Sequence, residues 1–304
     1  MTGARFIGVE WGTARIRARL FDEAGATLAR WDEEVRLGDL GRDAIAQRVT
    51  TIAEAWPEGA AGGMLLSGMI GSALGWTDVP RVACPATPAM IAEGARRERI
   101  GGTAVTFLPG LSCRSRFGDP DVMRGEELAA VGALATLAGR EATLLSVPGM
   151  HGKWLRLDGA GIRDFHTSMT VELHAAVAQG TILAPLMRAQ VDPAVEAFRR
   201  GVLHAADGGG LARLLFSARS RAQEGGMTAE EASAWLWGVL IGADIRDSLG
   251  EASGHHLVIG ASRVAPLFAQ ALMVFDVSAE LLDDAAVTAA GFRHLAALLT
   301  EERV

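Results

Sequence analysis

Near the start of the chain, Gly8, Glu10, Gly12 and Thr13 are residue types that suit phosphate binding. Backbone N–H groups converge on an oxygen only where side chains do not intrude, and glycine supplies that room. The Thr13 hydroxyl would add a donor, and Glu10 an acceptor for a hydrated Mg²⁺. An ordinary hairpin turn would show the same spacing. A second glycine loop, Gly149 to Lys153, adds a cation. Lys153 is the only lysine in a chain whose other basic side chains are all Arg. Retaining a compact ammonium where a planar guanidinium would otherwise stand fits a phosphate contact. Arg124, Gly125, Glu126 and Glu127 precede an apolar stretch, residues 128–137, with the composition of a helix. The helix dipole stabilises carboxylates there, and one of the two could take the proton of a substrate hydroxyl. Both would also serve as caps.

The elements that must position these residues occur twice. Residues 6–9 read as a strand, 15–20 as a second strand alternating Arg with Ile16, Ala18 and Leu20, and 27–33 as a third. Asp22, Glu23, Ala24 and Gly25 make the turn between the last two, and residues 43–56 have helical spacing at Ile45, Val49, Ile52 and Trp56. A short strand follows at 64–66. In the second half, strands at 142–147, 153–157 and 162–165 flank the loop at Gly149 and a turn at Asp158, Gly159, Ala160 and Gly161, and a helix begins near Ser168. This duplication predicts two like α/β domains facing each other across a cleft, with one glycine loop from each at its floor. Residues 108–125, rich in Pro, Gly, Ser and Arg, read as the crossing between domains at 1–115 and 116–304. Beyond residue 189 the chain reads as largely helical. Thr228 and Glu231 form a capping box ahead of a long apolar helix ending at Leu249, a strand is expected at 256–259, and a helix at 264–273.

Composition limits the function classes. With 304 residues, 49% hydrophobic and 21% charged, the chain forms a large core and is long enough for two domains. A formal charge of −7 argues against a nucleic-acid or anionic-membrane partner. No run of 18 apolar residues occurs, and Met1 to Glu10 lack a basic segment followed by an apolar one, so a cytoplasmic protein is expected. Cys84 and Cys113 make neither a disulfide framework nor a zinc pattern and read as reduced thiols. The histidines His166, His174, His255 and His256, and the pair Trp235 and Trp237, read as structural.

Taken together, these segments resemble the sugar kinases of the actin, hexokinase and Hsp70 superfamily, and among them the 2-dehydro-3-deoxygalactonokinase family. Residues 8–20 look like that family's first phosphate loop and 67–76 like its Gly-Met-Ile-Gly-Ser segment. Residues 121–127 are similar to its Asp-Val-Met-Arg-Gly-Glu-Glu run, and 148–154 to its Pro-Gly-Thr-His-Ser-Lys-Trp loop. Residues 168–173 and the turn at 260–262 match later motifs. Three positions depart: Glu10 replaces an Asp, and Met150 and Gly152 replace the Thr and Ser of the second loop. The longer Glu10 is expected to shift the metal, and the missing hydroxyls to weaken nucleotide binding.

The resemblance implies two duplicated actin-like ATPase domains of ribonuclease H-like fold, with ATP and Mg²⁺ as cofactors. The implied reaction is γ-phosphoryl transfer to the 6-hydroxyl of 2-dehydro-3-deoxy-D-galactonate in galactonate degradation. By the same resemblance Glu126 is the base and Lys153 assists. Gly12, Thr13, Gly149, His151 and Gly152 hold phosphates, Gly260 and Ala261 hold adenosine, and Glu10 holds the metal. Ser67, Gly68 and Met69 line the sugar side, and the substrate carboxylate needs a cation, for which Arg124, Arg114 and Arg116 are candidates. The implied partner is a small sugar acid, and a homodimer is compatible with the chain. The alternatives are a kinase of the same fold acting on another sugar acid or ketose, and a non-catalytic sugar-responsive relative.

Overall fold

The computed structural model describes residues 5–188, 192, 196–249, 254–260 and 263–301. It divides into two compact units, the first comprising Met1–Gly139, Leu157–Phe165 and Ala285–Val304, the second Arg140–Arg156 and His166–Asp284. The expected boundary after residue 115 falls inside the first of these.

In the first unit the strands β1 (Phe6–Trp11), β2 (Arg15–Phe21) and β3 (Thr27–Glu34) form an antiparallel meander. The turn between β2 and β3 is held by Asp22, whose Oδ1 accepts the N–H groups of Ala24 and Ala26. Helix α1 (Arg42–Ala55) buries Ile45, Val49 and Ile52, the spacing that puts one face on the core. After α2 (Pro57–Gly62), strand β4 (Met64–Gly68) runs parallel to β1. The sequence then adds β5 (Val82–Ala83), α3 (Pro88–Glu93), β6 (Arg96–Ile100) and β7 (Thr103–Phe107). The six-stranded sheet has the order β3-β2-β1-β4-β7-β6.

Residues 108–125 are not a linker. They contain β8 (Leu111–Arg114) and β9 (Pro120–Met123), an antiparallel hairpin that joins β5 in a three-stranded sheet. Leu111 and Met123 are buried, and the Cys113 thiol lies 3.1 Å from the Phe165 carbonyl. Ser115, Arg116 and Gly118 of the turn, with Pro109 before β8 and Pro120 opening β9, supply the Pro/Gly/Ser/Arg flavour of an interdomain segment, and each strand is too short for its alternation to stand out. Helix α4 (Glu126–Leu137) follows at once.

The pattern repeats in β10 (Ala142–Val147), β11 (Gly152–Leu157) and β12 (Ile162–Ser168), of which residues 157–165 group with the first unit and the rest with the second. Asp158 holds the turn as Asp22 does, its Oδ1 accepting from the N–H groups of Ala160 and Gly161. Four helices follow, α5 (Thr170–Gly180), α6 (Glu196–Ala206), α7 (Leu211–Glu224) and α8 (Ala229–Leu249). The expected capping box is present: Thr228 N–H donates to the Glu231 carboxylate at 2.8 Å and Glu231 N–H to the Thr228 hydroxyl at 3.2 Å. Then come β13 (His255–Gly260), α9 (Ala265–Val274), β14 (Ala279–Leu281) and α10 (Asp284–Glu301). The sheet order is β12-β11-β10-β13-β14, with β10, β13 and β14 mutually parallel in sequence along the sheet. Strand for strand, β12-β11-β10-β13 is the counterpart of β3-β2-β1-β4.

Helix α8 is buried on every side from Ala232 to Ala243, and this stretch includes Trp235 and Trp237, as their structural reading required. Its closest neighbour is α6. A Cβ on Gly238 would lie 2.1 Å from the Phe198 carbonyl oxygen, and one on Gly201 2.4 Å from that of Trp235. Among the described residues no helix is long and apolar enough to cross a membrane.

Because the contact at Gly238 is with backbone, the helices must separate to admit a methyl group. Gly238→Ala is expected to destabilise the protein by about 1–3 kcal/mol, read as a lower thermal midpoint. Gly180→Ala, which meets nothing within 4 Å, should leave the midpoint where it is.

Candidate active site

In the first unit the chemistry gathers where β1 and β4 end side by side. Their register pairs Glu10 with Ser67 and Trp11 with Gly68. Gly68 has φ +94°, and a Cβ there would lie 2.7 Å from the Trp11 carbonyl oxygen. Only glycine lets the chain leave the sheet at this point. Ser67 is buried and its hydroxyl donates to the Glu127 carboxylate at 3.4 Å, while Met69 packs against the core of this unit.

Helix α4 starts beside the same turn. Its N-cap, Gly125, has φ +118°, and a Cβ on it would sit 3.5 Å from the Gly68 Cα. The two carboxylates of the first turn, separated by about 100° around the helix, have different surroundings. Glu127 is 0% exposed and its Oε2 accepts the Gly125 N–H at 2.6 Å. Burial, reinforced by the neighbouring Glu126 charge, pushes its carboxyl pKa up to about 7. Glu126 is partly exposed, and its Oε2 accepts the Arg124 N–H at 3.2 Å.

The Arg124 side chain is only 4% exposed. Its Nη2 donates to the Val79 carbonyl at 2.7 Å and lies 3.7 Å from Asp78. Nε and Nη1 are buried without a hydrogen-bond partner among the described residues. Gly71 makes space for this head, since a Cβ there would approach Nη1 to 3.3 Å. Burial, and secondarily the charge of Arg81, lowers the guanidinium pKa. The other two candidates differ: Arg114 donates to the Gly118 carbonyl, and Arg116 lies 4.7 Å from the centre of the Phe117 ring.

Glu10 is held between two arginines that sequence reasoning did not pair with it. Arg17 donates to Oε1 at 2.9 Å and Arg19, itself buried, to Oε2. With each oxygen facing a guanidinium, this carboxylate does not fit direct coordination of a divalent cation. Among the described residues no group of three or more His, Cys, Asp and Glu could hold a metal ion. The Gly12 N–H closes the hairpin on the Arg15 carbonyl at 2.9 Å, and Thr13 stands exposed with its carbonyl accepting the Leu37 N–H.

In the second unit Gly149 and His151 are exposed at the tip of the loop, and His151 Nε2 lies 2.6 Å from Glu172 Oε2 at the start of α5. Gly152 and Lys153 are buried where β11 begins. A Cβ on Gly152 would meet the Ser168 hydroxyl at 3.0 Å, and Lys153 Nζ donates to the Thr167 hydroxyl at 2.6 Å. Gly260 ends β13 beside Val147 at the end of β10, with φ +147° and its would-be Cβ 2.2 Å from the Val147 carbonyl oxygen. Ala261 lies outside the described residues.

Sequence reasoning passed over Asp244, which accepts hydrogen bonds from Trp154, Ser168, Thr170 and Ser248. The available signal was a carboxylate inside the apolar core of α8, where the flanking Ala243 and Ile245 are buried.

The raised pKa of Glu127 has a consequence for stability. The folded protein keeps this proton up to about pH 7, whereas an unfolded glutamate releases it near 4.5. Between those values the unfolded state binds fewer protons, so stability falls as pH rises through the window, by up to about 3 kcal/mol from this group. Glu127→Gln keeps an acceptor for Gly125 and cannot ionise. Urea unfolding at pH 5 and pH 8 should show a smaller loss for the variant than for the parent.

The chain is similar to known proteins over most of its length. The 2-keto-3-deoxy-galactonokinase family model matches residues 10–295. The 2-dehydro-3-deoxygalactonokinase of Escherichia coli K12 is 32% identical over 267 residues, covering 86% of this chain and 87% of the relative. The crystal structure of a Sinorhizobium meliloti protein, solved as a candidate 2-dehydro-3-deoxygalactonokinase, superposes with a TM-score of 0.89 at 29% identity, over 96% of this chain and 98% of that one. At the level of fold alone, the activator of 2-hydroxyisocaproyl-CoA dehydratase from Clostridium difficile, solved with bound ADPNP, gives a TM-score of 0.51 at 10% identity, over 99% of this chain and 98% of that one. The repeated sheets are those of actin-like ATPase domains, and the chain belongs to the 2-keto-3-deoxy-galactonokinase family.

Proposed function

We propose that this protein is an ATP-dependent sugar-acid kinase that transfers the γ-phosphoryl group to the 6-hydroxyl of 2-dehydro-3-deoxy-D-galactonate. Family membership supports the reaction class. The observation that carries the acidic substrate is Arg124, a desolvated cation with unmatched donors beside the carboxylates of α4. A substrate carboxylate would match both its donors and its charge, whereas the hydroxyls of a neutral sugar would match the donors alone. Ser67, Gly68 and Met69 line the same turn and would bound the sugar.

Glu126 suits the general base better than Glu127. A base must reach the hydroxyl it deprotonates, and Glu127 is sealed from solvent while Glu126 is partly open. As the 6-oxygen attacks the γ-phosphorus, Glu126 would take its proton and the bond to the ADP oxygen would break. Lys153 would offset the charge that develops on the phosphoryl oxygens. Gly12, Thr13, Gly149, His151 and Gly152 would contact the phosphates, and Gly260 the adenosine. ATP would be used as its Mg²⁺ complex, the ion shielding the phosphate charge, with Glu10 limited to contact through water.

An ADP-release assay over 2-keto-3-deoxy sugar acids, other hexonates and neutral ketoses tests the substrate class. Turnover confined to the acids is expected, and turnover confined to neutral ketoses would overturn the assignment. Glu126→Gln should lower kcat by about 10²- to 10⁴-fold with MgATP affinity retained.

Arg124→Met should raise KM for the sugar acid by roughly 10- to 100-fold, the worth of a hydrogen bond to a charged group. KM for ATP should stay near the parent value. Equal rises in both constants would remove Arg124 from carboxylate recognition.

A further inference from the structure

Lys153 is one of two neighbours in a layered arrangement. Its ammonium donates to the Thr167 hydroxyl at 2.6 Å. The residues that follow each of them, Trp154 on β11 and Ser168 on β12, point to the opposite faces of their strands. Both end on the same carboxylate. The Trp154 indole donates to Asp244 Oδ1 at 3.0 Å, and the Ser168 hydroxyl to Oδ2 at 2.7 Å. Two further hydroxyls complete the set, Thr170 on Oδ2 at 2.6 Å and Ser248 on Oδ1 at 3.1 Å. Because Ser248 gives its proton to Asp244, His166 Nε2, 2.9 Å from the Ser248 oxygen, must be the donor in that contact.

We propose that Asp244 is a positioning residue for Lys153, its carboxylate tying together the two strands whose other faces carry the Lys153–Thr167 pair. This rests on the kinase reading in one respect, that Lys153 meets the phosphates of ATP. The argument is one of donors and acceptors. A carboxylate has about four lone-pair sites and no proton to place, which matches two donors on each oxygen. Asparagine keeps one acceptor oxygen and presents an NH₂ group to the other two donors, so part of the set must turn away. Trp154 and Ser168 are then released from a common anchor. Ser168 also packs where a side chain on Gly152 would be, so its movement reaches the loop residue next to Lys153.

The test is a double-mutant cycle with Asp244→Asn and Lys153→Met, read by kcat/KM for MgATP and, without sugar, by the Kd of MgATP from calorimetry. The expected scale is that of outer-shell partners of metal ligands, whose loss costs about 10- to 100-fold. Asp244→Asn should show that loss in the parent, and at most about 3-fold in the Lys153→Met background, because residues acting as a unit are not additive. A purely structural role would give the same factor in both backgrounds and would overturn the proposal, as would parent-like constants for Asp244→Asn. Should Asp244→Asn fail to fold, Ser248→Ala removes a single donor, and the same contrast between backgrounds decides. If the parent turns over no sugar acid but binds MgATP, the kinase reading fails while the cycle in Kd still judges Asp244. A parent that binds no MgATP overturns both.

Discussion

The close approach of two parallel strand ends, possible only at glycine, is the constraint on which both halves of this protein depend. Gly68 passes against the Trp11 carbonyl and Gly260 against that of Val147, each with positive φ. The positions correspond: each glycine is the last residue of the strand that lies parallel to the first strand of its unit. A side chain at either would separate the strands or prevent the chain from turning out of the sheet. In the first unit that turn delivers Ser67 to Glu127 and sets Gly68 under the start of α4. The N-cap, the two carboxylates and Arg124 are all placed by reference to it.

The electrostatics follow from how few charges are left in water at these places. Glu10 is neutralised by Arg17 and Arg19, Asp244 is solvated by four uncharged donors, and Glu127 holds its proton. Arg124 is the exception. Among the described residues its guanidinium makes one short backbone contact, lies 3.7 Å from Asp78 and leaves Nε and Nη1 without a hydrogen-bond partner, a costly arrangement in a folded protein.

Much of this was legible before any coordinates. The three-strand meanders, their Asp-anchored turns, the helix at 128–137 and the capping box at Thr228 all rest on local rules of periodicity and turn chemistry, and the structure contains them. The hairpin at residues 111–123 was hidden because its strands are only four residues long and its turn mimics a linker. Asp244 was hidden for another reason. Its partners Trp154, Ser168 and Thr170 are more than 70 positions away in the chain, and no local pattern links them. The arginines around Glu10 follow from antiparallel register, which places Arg17 opposite Glu10, and could have been read from the hairpin itself.

The last helix has a consequence for the order in which the molecule is assembled during synthesis. Phe292 packs on Phe21 and against Gly8, while Gly132 fits the backbone at Val287 and Gly291 that at Leu128. The first unit therefore takes its core from segments on both sides of the second, and includes residues 157–165 as well. A ribosome releases the whole of the second unit before it has made the residues that close the first. Strands β1 and β2 are thus made long before Phe292 of α10, the side chain that covers Phe21 and Gly8, and that part of their face is filled only once α10 has been added.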